Sequence, residues 1–223
     1  MTNADAAPRL YTYWRSTAAY RVRMALNLKG IDYTSVPVDL VRDGGEQYQD
    51  EYLSLNPQGL VPALEIDGRV ITQSTAIIEY LEETRPWPPL LPSRPDERAR
   101  VRALGAIVAC DIHPLNNLRV LKYLAGPLGV LAEDKQTWYA HWIAKGFHAL
   151  ETSLARDSAT GEFCHGDTPG LADILLVGQM YNAHRFNCDI EPYPTLNRIV
   201  ATCLALPAFD AARPENQPDA PGA

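Results

Sequence analysis

The first ninety residues alternate between strand-like and helix-like patterns. Leu10 to Tyr13 forms a short β-type run, and Val22, Ala25, Leu26 and Leu28 follow at helical spacing. Gly30 stands where a helix carboxy-terminus favours a residue tolerant of positive φ. Tyr33 to Val38 is rich in β-branched and aromatic positions and predicts a second strand, parallel to the first through a right-handed crossover. Ala63 to Ile66 and Arg69 to Ile71 flank Asp67-Gly68, a strong hairpin signal. Ser74 opens a helix carrying Ile77, Ile78 and Leu81, and Pro86 lies just past its end. The order β-α-β, connection, β-β-α is that of a thioredoxin-like domain over residues 1–89.

Trp87 to Pro95 reads WPPLLPSRP, with four prolines in nine residues, which predicts a semi-rigid linker. Beyond it strand signals stop. Arg98 to Leu124, Lys135 to Leu154, Leu171 to Phe186 and Thr195 to Leu204 favour helix, so residues 90–223 are expected to form an all-α domain. The tail RPENQPDAPGA is proline-rich and polar and is expected to be extended or frayed. A single α/β domain would need further strands in the second half.

Composition removes several function classes. A net charge of −7 argues against sequence-independent nucleic-acid binding, which needs a concentrated positive surface. No apolar run approaches the roughly 20 residues that span a bilayer. The start, MTNADAAPRL, lacks a charged-then-apolar leader pattern, so a cytoplasmic location is expected. The four cysteines (Cys110, Cys164, Cys188 and Cys203) show no CxxC spacing and read as reduced thiols. No metal site is expected, since His141 and His148 have no evident carboxylate partner on their face.

In a thioredoxin-like domain the chemistry lies where the first strand meets the first helix. Here that junction reads Tyr13-Trp14-Arg15-Ser16-Thr17-Ala18, without a cysteine, so disulfide exchange cannot run there. It offers hydroxyls at a helix amino-terminus, where free N–H groups and the dipole favour an anion. Either Ser16 holds a thiolate brought by a cofactor, or Ser16 or Thr17 simply caps the helix. Two later signals weigh toward the first. Val61-Pro62 stands at the hairpin entry, where this fold keeps a cis-proline that leaves Val61 free to pair with a peptide-like ligand. Gln73-Ser74 opens the next helix with a hydroxyl and N–H groups for a carboxylate. A thiolate site, a backbone site and a carboxylate site in that order match the thiol, backbone and γ-glutamyl carboxylate of glutathione.

These residues also resemble a known family. RSTAAYRVRMALNLKGIDY, the DGG of Asp43 to Gly45, LNPQGLVPAL, QSTAIIEYLEETRP, DIHPLNNLRVLKYL and GDTPGLADILL are similar to motifs of zeta-class glutathione transferases. That class includes maleylacetoacetate and maleylpyruvate isomerases. The resemblance runs from about Leu10 to Pro218 and implies a glutathione-transferase fold, glutathione as cofactor and a homodimer. By resemblance, Ser16 is the thiolate-stabilising hydroxyl, with Arg15 and Thr17 lining the same site. Gln47 would reach the glycyl end, Val61 and Pro62 the backbone, and Gln73 and Ser74 the γ-glutamyl carboxylate. Asp111 and His113 lie where similar proteins complete the site.

Two positions depart from the family pattern. Ser16-Thr17-Ala18 replaces a common Ser-Ser-Cys, and Gly170 replaces a helix-capping Ser or Thr before Ala172-Asp173. The first leaves isomerisation possible, because the attacking sulfur belongs to glutathione. The second is tolerable, because glycine costs only a few tenths of a kcal/mol against serine at a cap and Asp173 can bond back to it.

The implied reaction isomerises maleylacetoacetate to fumarylacetoacetate by reversible thiolate addition. Its dianionic substrate calls for cations, and Arg15, Arg119 and Arg185 are the candidates because guanidinium binds carboxylate bidentately. Asn117 is placed to hydrogen-bond an enolate oxygen. His113, before Pro114, is as much a structural as a functional candidate, and Pro114 should break the helix locally. Rival functions are a maleylpyruvate isomerase of gentisate breakdown, a general glutathione S-transferase that conjugates electrophiles, and a non-catalytic glutathione-binding scaffold.

Overall fold

A computed structural model describes residues 7–222, so the opening residues 1–6, on which the reading of the amino-terminus partly rests, lie outside it. The described chain forms two compact units. The first comprises the residues up to Leu90 together with Leu206 onward, and the second runs from Leu91 to Ala205. The expected division between residues 89 and 90 differs from this in two respects: Leu90 falls in the first unit, and the carboxy-terminal segment returns to it.

In the first unit, strand β1 (Arg9–Thr12) leads into helix α1 (Thr17–Leu28) and strand β2 (Thr34–Pro37). A short helix α2 (Asp50–Leu55) precedes strands β3 (Ala63–Ile66) and β4 (Arg69–Thr72) and helix α3 (Ser74–Thr84). The sheet order is β2-β1-β3-β4, with β1 parallel to β2 and antiparallel to β3. The expected thioredoxin-like arrangement is present. The β3–β4 turn puts both central residues at positive φ, Asp67 at 52° and Gly68 at 71°, the geometry that two-residue hairpins favour.

Helix α1 is buried over most of its length from Thr17 to Leu26, two arginines included. Lys29, at its end, donates from Nζ to Glu82 Oε2 at 2.9 Å and to the carbonyls of Arg85 and Pro88. Glu82 Oε2 also accepts from the Leu90 N–H at 2.8 Å. A buried ion pair with every arm satisfied thus ties down the start of the proline-rich segment, and removing one partner of such a pair typically costs about 3–5 kcal/mol. Leu90 is accordingly buried.

The tail departs from expectation. Helix α9 (Pro207–Ala211) packs on α1, and Asn27 Nδ2 donates to the Ala208 carbonyl at 3.0 Å. Pro214 and Gln217 are buried, and Gln217 Nε2 donates to the carbonyls of Ala211 and Arg213. Its prolines set turns that seat the segment against α1, so a composition that reads as frayed is ordered by tertiary contact.

The second unit is helical: α4 (Pro95–Ala106), α5 (Leu118–Ala125), α6 (Ala132–Arg156), α7 (Leu171–Arg185) and α8 (Pro194–Leu204). No strand follows β4 among the described residues, only an isolated bridge between Thr160 and Gly166. The single helix expected from Arg98 to Leu124 is interrupted by a π-helical segment at Ile107–Ile112 and a turn through Pro114 before α5. Gly146 of α6 explains why the π segment fits, since a Cβ there would collide with the Ile112 side chain. Helix α7 begins with Gly170 at its cap, where the Gly170 N–H donates to Asp173 Oδ2 at 2.9 Å, as expected. Asp173 Oδ1 also accepts from the Cys164 N–H, although burial of the whole side chain raises its pKa.

Candidate active site

The strand register brings four loop segments to one end of the sheet. Thr12 pairs with Pro37, Tyr11 with Ala63, and Ala63 with Thr72. The residues that follow β1, β2 and β4 and those that precede β3 therefore share one edge. Ser16, Val61, Gln73 and Ser74 all lie in those segments.

Ser16 is the N-cap of α1, and its Oγ accepts from the Ala19 N–H at 3.2 Å. The capping role is therefore real. A hydroxyl that accepts this bond still has its own proton to donate, so the same side chain can serve an anion in front of the helix. The Ser16 N–H closes the preceding turn on the Tyr13 carbonyl at 2.9 Å. Thr17, the first residue of α1, is buried. Arg15 stacks its guanidinium over the Trp14 ring at 5.0 Å, which orients it by cation–π attraction.

The Val61-Pro62 peptide is cis, and Val61 is buried. Its approach is held by a residue pair that sequence reading passed over. Tyr52 Oη donates to the Leu60 carbonyl at 2.6 Å, and Asn56 Nδ2 donates to the same oxygen at 2.7 Å. Both sit on or just past α2, a helix signalled by Asp50-Glu51, by Tyr52 and Leu55 at helical spacing, and by the stop Asn56-Pro57. Tyr52 packs with Tyr11, Val38, Val61 and Ala63 in an apolar cluster beneath the site, and desolvation there pushes its hydroxyl pKa up to about 12.

Gln73 caps α3 with φ at 69°, an uncommon conformation for a non-glycine residue. Its Nε2 donates to Gln58 Oε1 at 2.7 Å, so Gln58 is a third residue that sequence reading missed. Ser74 is buried as the first residue of α3, whose unpaired first-turn N–H groups suit a carboxylate. Gln47 is also buried, in the turn Glu46–Tyr48, and its Oε1 has no partner among the described residues. An amide oxygen kept dry and unpaired in the bare protein is what a donor on a bound ligand would satisfy. Gly45, at φ 113°, leaves room for it, since a Cβ at that position would strike the Gln47 amide.

A second group of expected residues lies in the second unit. Asp111 is exposed at the end of the π segment, and His113 is half-buried just beyond it. Such π segments concentrate at functional sites. Asn117 caps α5, with Oδ1 accepting from the Arg119 N–H at 3.1 Å. Its Nδ2 remains to donate. Arg119 is exposed, and its guanidinium makes no hydrogen bond or ion pair with the described residues. Arg185 closes α7, exposed, with its guanidinium 4.9 Å over the Phe186 ring.

Among the described residues no group of histidine, cysteine and carboxylate side chains could hold a metal, and no helix is long and apolar enough to cross a membrane.

Residues 15–84 match the profile of the glutathione S-transferase amino-terminal domain. The chain is 55% identical over 212 residues to a probable maleylacetoacetate isomerase of Vibrio cholerae, covering 95% of this chain and 97% of that one. It superposes on the holo structure of a bacterial zeta-class maleylpyruvate isomerase with a TM-score of 0.93 at 48% identity, covering 96% and 100% of the two chains. A maleylacetoacetate isomerase from Methylobacterium extorquens AM1, solved with malonate and glutathione, matches with a TM-score of 0.91 at 46% identity over 96% of this chain and 100% of that one.

Proposed function

Because the chain belongs to the zeta-class glutathione transferase family of maleylacetoacetate and maleylpyruvate isomerases, we propose that it is a glutathione-dependent cis–trans isomerase that converts maleylacetoacetate to fumarylacetoacetate. The observation that carries this reading is the convergence of Ser16, Val61, Gln73 and Ser74 at one end of the sheet, beside a buried Gln47 whose amide oxygen lacks a partner.

These residues fit glutathione group by group. Ser16 would donate to the sulfur, and Arg15 and Thr17 would flank it. The Val61 backbone beside Pro62 would pair with the cysteinyl peptide. Ser74 and the first turn of α3 would take the γ-glutamyl carboxylate, with Gln73 beside them. Gln47 would accept from the glycyl end of the ligand. When bound, glutathione supplies a thiolate whose reversible addition makes the substrate double bond single long enough to rotate.

The protein's part is electrostatic. Ser16 and the α1 amino-terminus favour the thiolate at neutral pH. Arg119, Arg185 and Arg15 would counter the charges of the maleyl dianion, and Asn117 would steady the oxygen on which negative charge grows. The malonate in the Methylobacterium relative supports a dicarboxylate in this role. Asp111 and His113 would complete the cofactor site, and the active form would be a homodimer.

Maleylpyruvate is the second substrate reading, favoured by the close match to the maleylpyruvate isomerase fold. The test is turnover of both maleyl substrates with and without glutathione. Isomerisation that requires glutathione but does not consume it is expected. Consumption of glutathione with release of a thioether would identify a conjugating transferase, and binding without turnover a scaffold.

A further inference from the structure

We propose that the carboxy-terminal segment positions the catalytic turn, with Asp219 and Arg23 as positioning residues that act on Ser16 through the backbone of Tyr13 and Trp14. The inference rests on the reading of Ser16 as the thiolate donor.

The turn from Tyr13 to Ser16 joins β1 to α1 and has no sheet or helix ladder of its own. Apart from the Ser16 N–H bond to the Tyr13 carbonyl, the backbone bonds seen at Tyr13 and Trp14 go to charged side chains. Arg23, fully buried on α1, donates from Nη2 to the Trp14 carbonyl at 3.0 Å and from Nη1 to the Tyr13 carbonyl at 3.5 Å. The same guanidinium reaches Thr12 Oγ1 and, through Nε at 3.0 Å, the Ala212 carbonyl of the tail. From the other side, the Trp14 N–H donates to Asp219 Oδ2 at 2.8 Å. Both backbone groups of Trp14 are therefore fixed by ions, one of them supplied more than two hundred residues further along the chain.

The tail is itself braced to deliver that carboxylate. Gln217 bonds two carbonyls within the segment, and Asn216 Nδ2 donates to the Asp210 carbonyl at 2.8 Å. Asp219 Oδ1 is buried without a partner among the described residues. Leaving a carboxylate oxygen unpaired is unfavourable for folding, so the placement of Asp219 is better accounted for by what its other oxygen holds. A catalytic hydroxyl must stay within about 0.5 Å of its productive place. Trp14 lies two residues before Ser16, and the Tyr13 carbonyl that Arg23 approaches is also the acceptor for the Ser16 N–H. Displacing this turn displaces the hydroxyl.

The experiment titrates the thiol of enzyme-bound glutathione by its ultraviolet thiolate absorbance and measures kcat on the maleyl substrate. Asp219→Ala is expected to raise the bound thiol pKa by about half a unit to one unit and to lower kcat roughly 3- to 10-fold, the scale of one charge-assisted hydrogen bond acting indirectly. A chain ending after Gln217 should reproduce both effects. Asp219→Asn, whose amide oxygen can still accept from Trp14, should recover most of the loss. An unchanged thiol pKa and kcat in Asp219→Ala would overturn the proposal even if the melting temperature fell, because the tail would then be a structural strap alone. An Asp219→Asn variant as impaired as Asp219→Ala would also overturn it, since charge and not placement would be at work. Ser16→Ala, run alongside, should raise the thiol pKa more than any tail variant. If it does not, the underlying assignment of Ser16 fails, and that failure is distinguishable from the others.

Discussion

The end of the sheet proposed to hold glutathione and the arginines of α5 and α7 proposed to hold the substrate would be two ways of building a binding site. At the sheet end the polar groups are mostly backbone or short side chains already held by neighbours: Ser16 by its helix, the Leu60 carbonyl by two donors, Gln73 by Gln58. On α5 and α7, Arg119 and Arg185 are long, exposed side chains. Preorganised donors act at little entropic cost when the ligand arrives, whereas a long exposed side chain gives up more rotamer freedom to reach its ligand. The first kind of site suits an invariant cofactor. The second suits a substrate whose carboxylates shift as its double bond turns.

The sharpest way to break this contrast is at Ser16. Ser16→Ala should lower kcat by about 10²-fold or more with the fold intact, the scale for one lost donor to an anion in a preorganised site. Thr17→Ala should do much less. Equal losses in the two variants, measured on either maleyl substrate, would take Ser16 out of its role.

Arg119 probes the other side. Arg119→Ala should reduce kcat/KM for the maleyl dianion by about 10- to 10²-fold and leave glutathione affinity nearly unchanged. Neutral electrophiles such as haloaromatics should be affected less, and Arg119→Lys should restore only part of the loss because ammonium lacks the bidentate fork. Equal losses on charged and neutral substrates would make Arg119 structural.

Gly45 tests preorganisation itself. Gly45→Ala combines a backbone at φ 113° with a Cβ that strikes the Gln47 amide. Displacing that amide should weaken glutathione binding by about 5- to 10-fold, the worth of about one hydrogen bond, with little change in kcat at saturating glutathione. Titration calorimetry with glutathione reads this directly, and an unchanged Kd would remove Gln47 from the site.

The smallest effect belongs to the hairpin tip, away from both groups. Asp67 accepts from Arg85 and from the Tyr80 hydroxyl, and these bonds, Arg85 first, hold its pKa below the usual value. A depressed carboxylate pKa stabilises the fold above the unfolded-state value of about 3.9, and the contribution is lost as pH falls through the folded-state pKa. Because the pair is partly exposed, Asp67→Asn should cost less than about 1 kcal/mol at neutral pH, and the difference from wild type should vanish in acid. Thermal melts across that range check both the size and the sign.

Local signals made much of the first unit legible. Asp67-Gly68, Gly30 and Ser74 each carry a conformational preference that needs no distant partner, and the hairpin and helix bounds follow from them. Val61-Pro62 was legible for a different reason, since its cis peptide was expected from the fold and not from its neighbours. What escaped was set by tertiary contact or by a short pattern. Helix α2 spans only six residues, too few for its periodicity to stand out, yet it carries Tyr52. The π segment needs Gly146, more than thirty residues on, to make room for Ile112. The grip on Trp14 depends on Arg23 and Asp219, and no feature of either residue's own neighbourhood marks it as a partner of the turn that bears Ser16.

The return of residues 206–223 to the sheet unit has a consequence for biosynthesis. During translation the strands and α1 emerge first, but the partners of Trp14 and Asn27 in the tail leave the ribosome only after all of residues 91–205. A nascent chain can pair its four strands early, while the turn that bears Ser16 lacks Asp219 until synthesis has passed the whole helical unit. If the tail positions this turn as proposed, Ser16 gains its full bracing only once synthesis is complete, and a half-made chain would carry a paired sheet with its Ser16 turn held from one side alone.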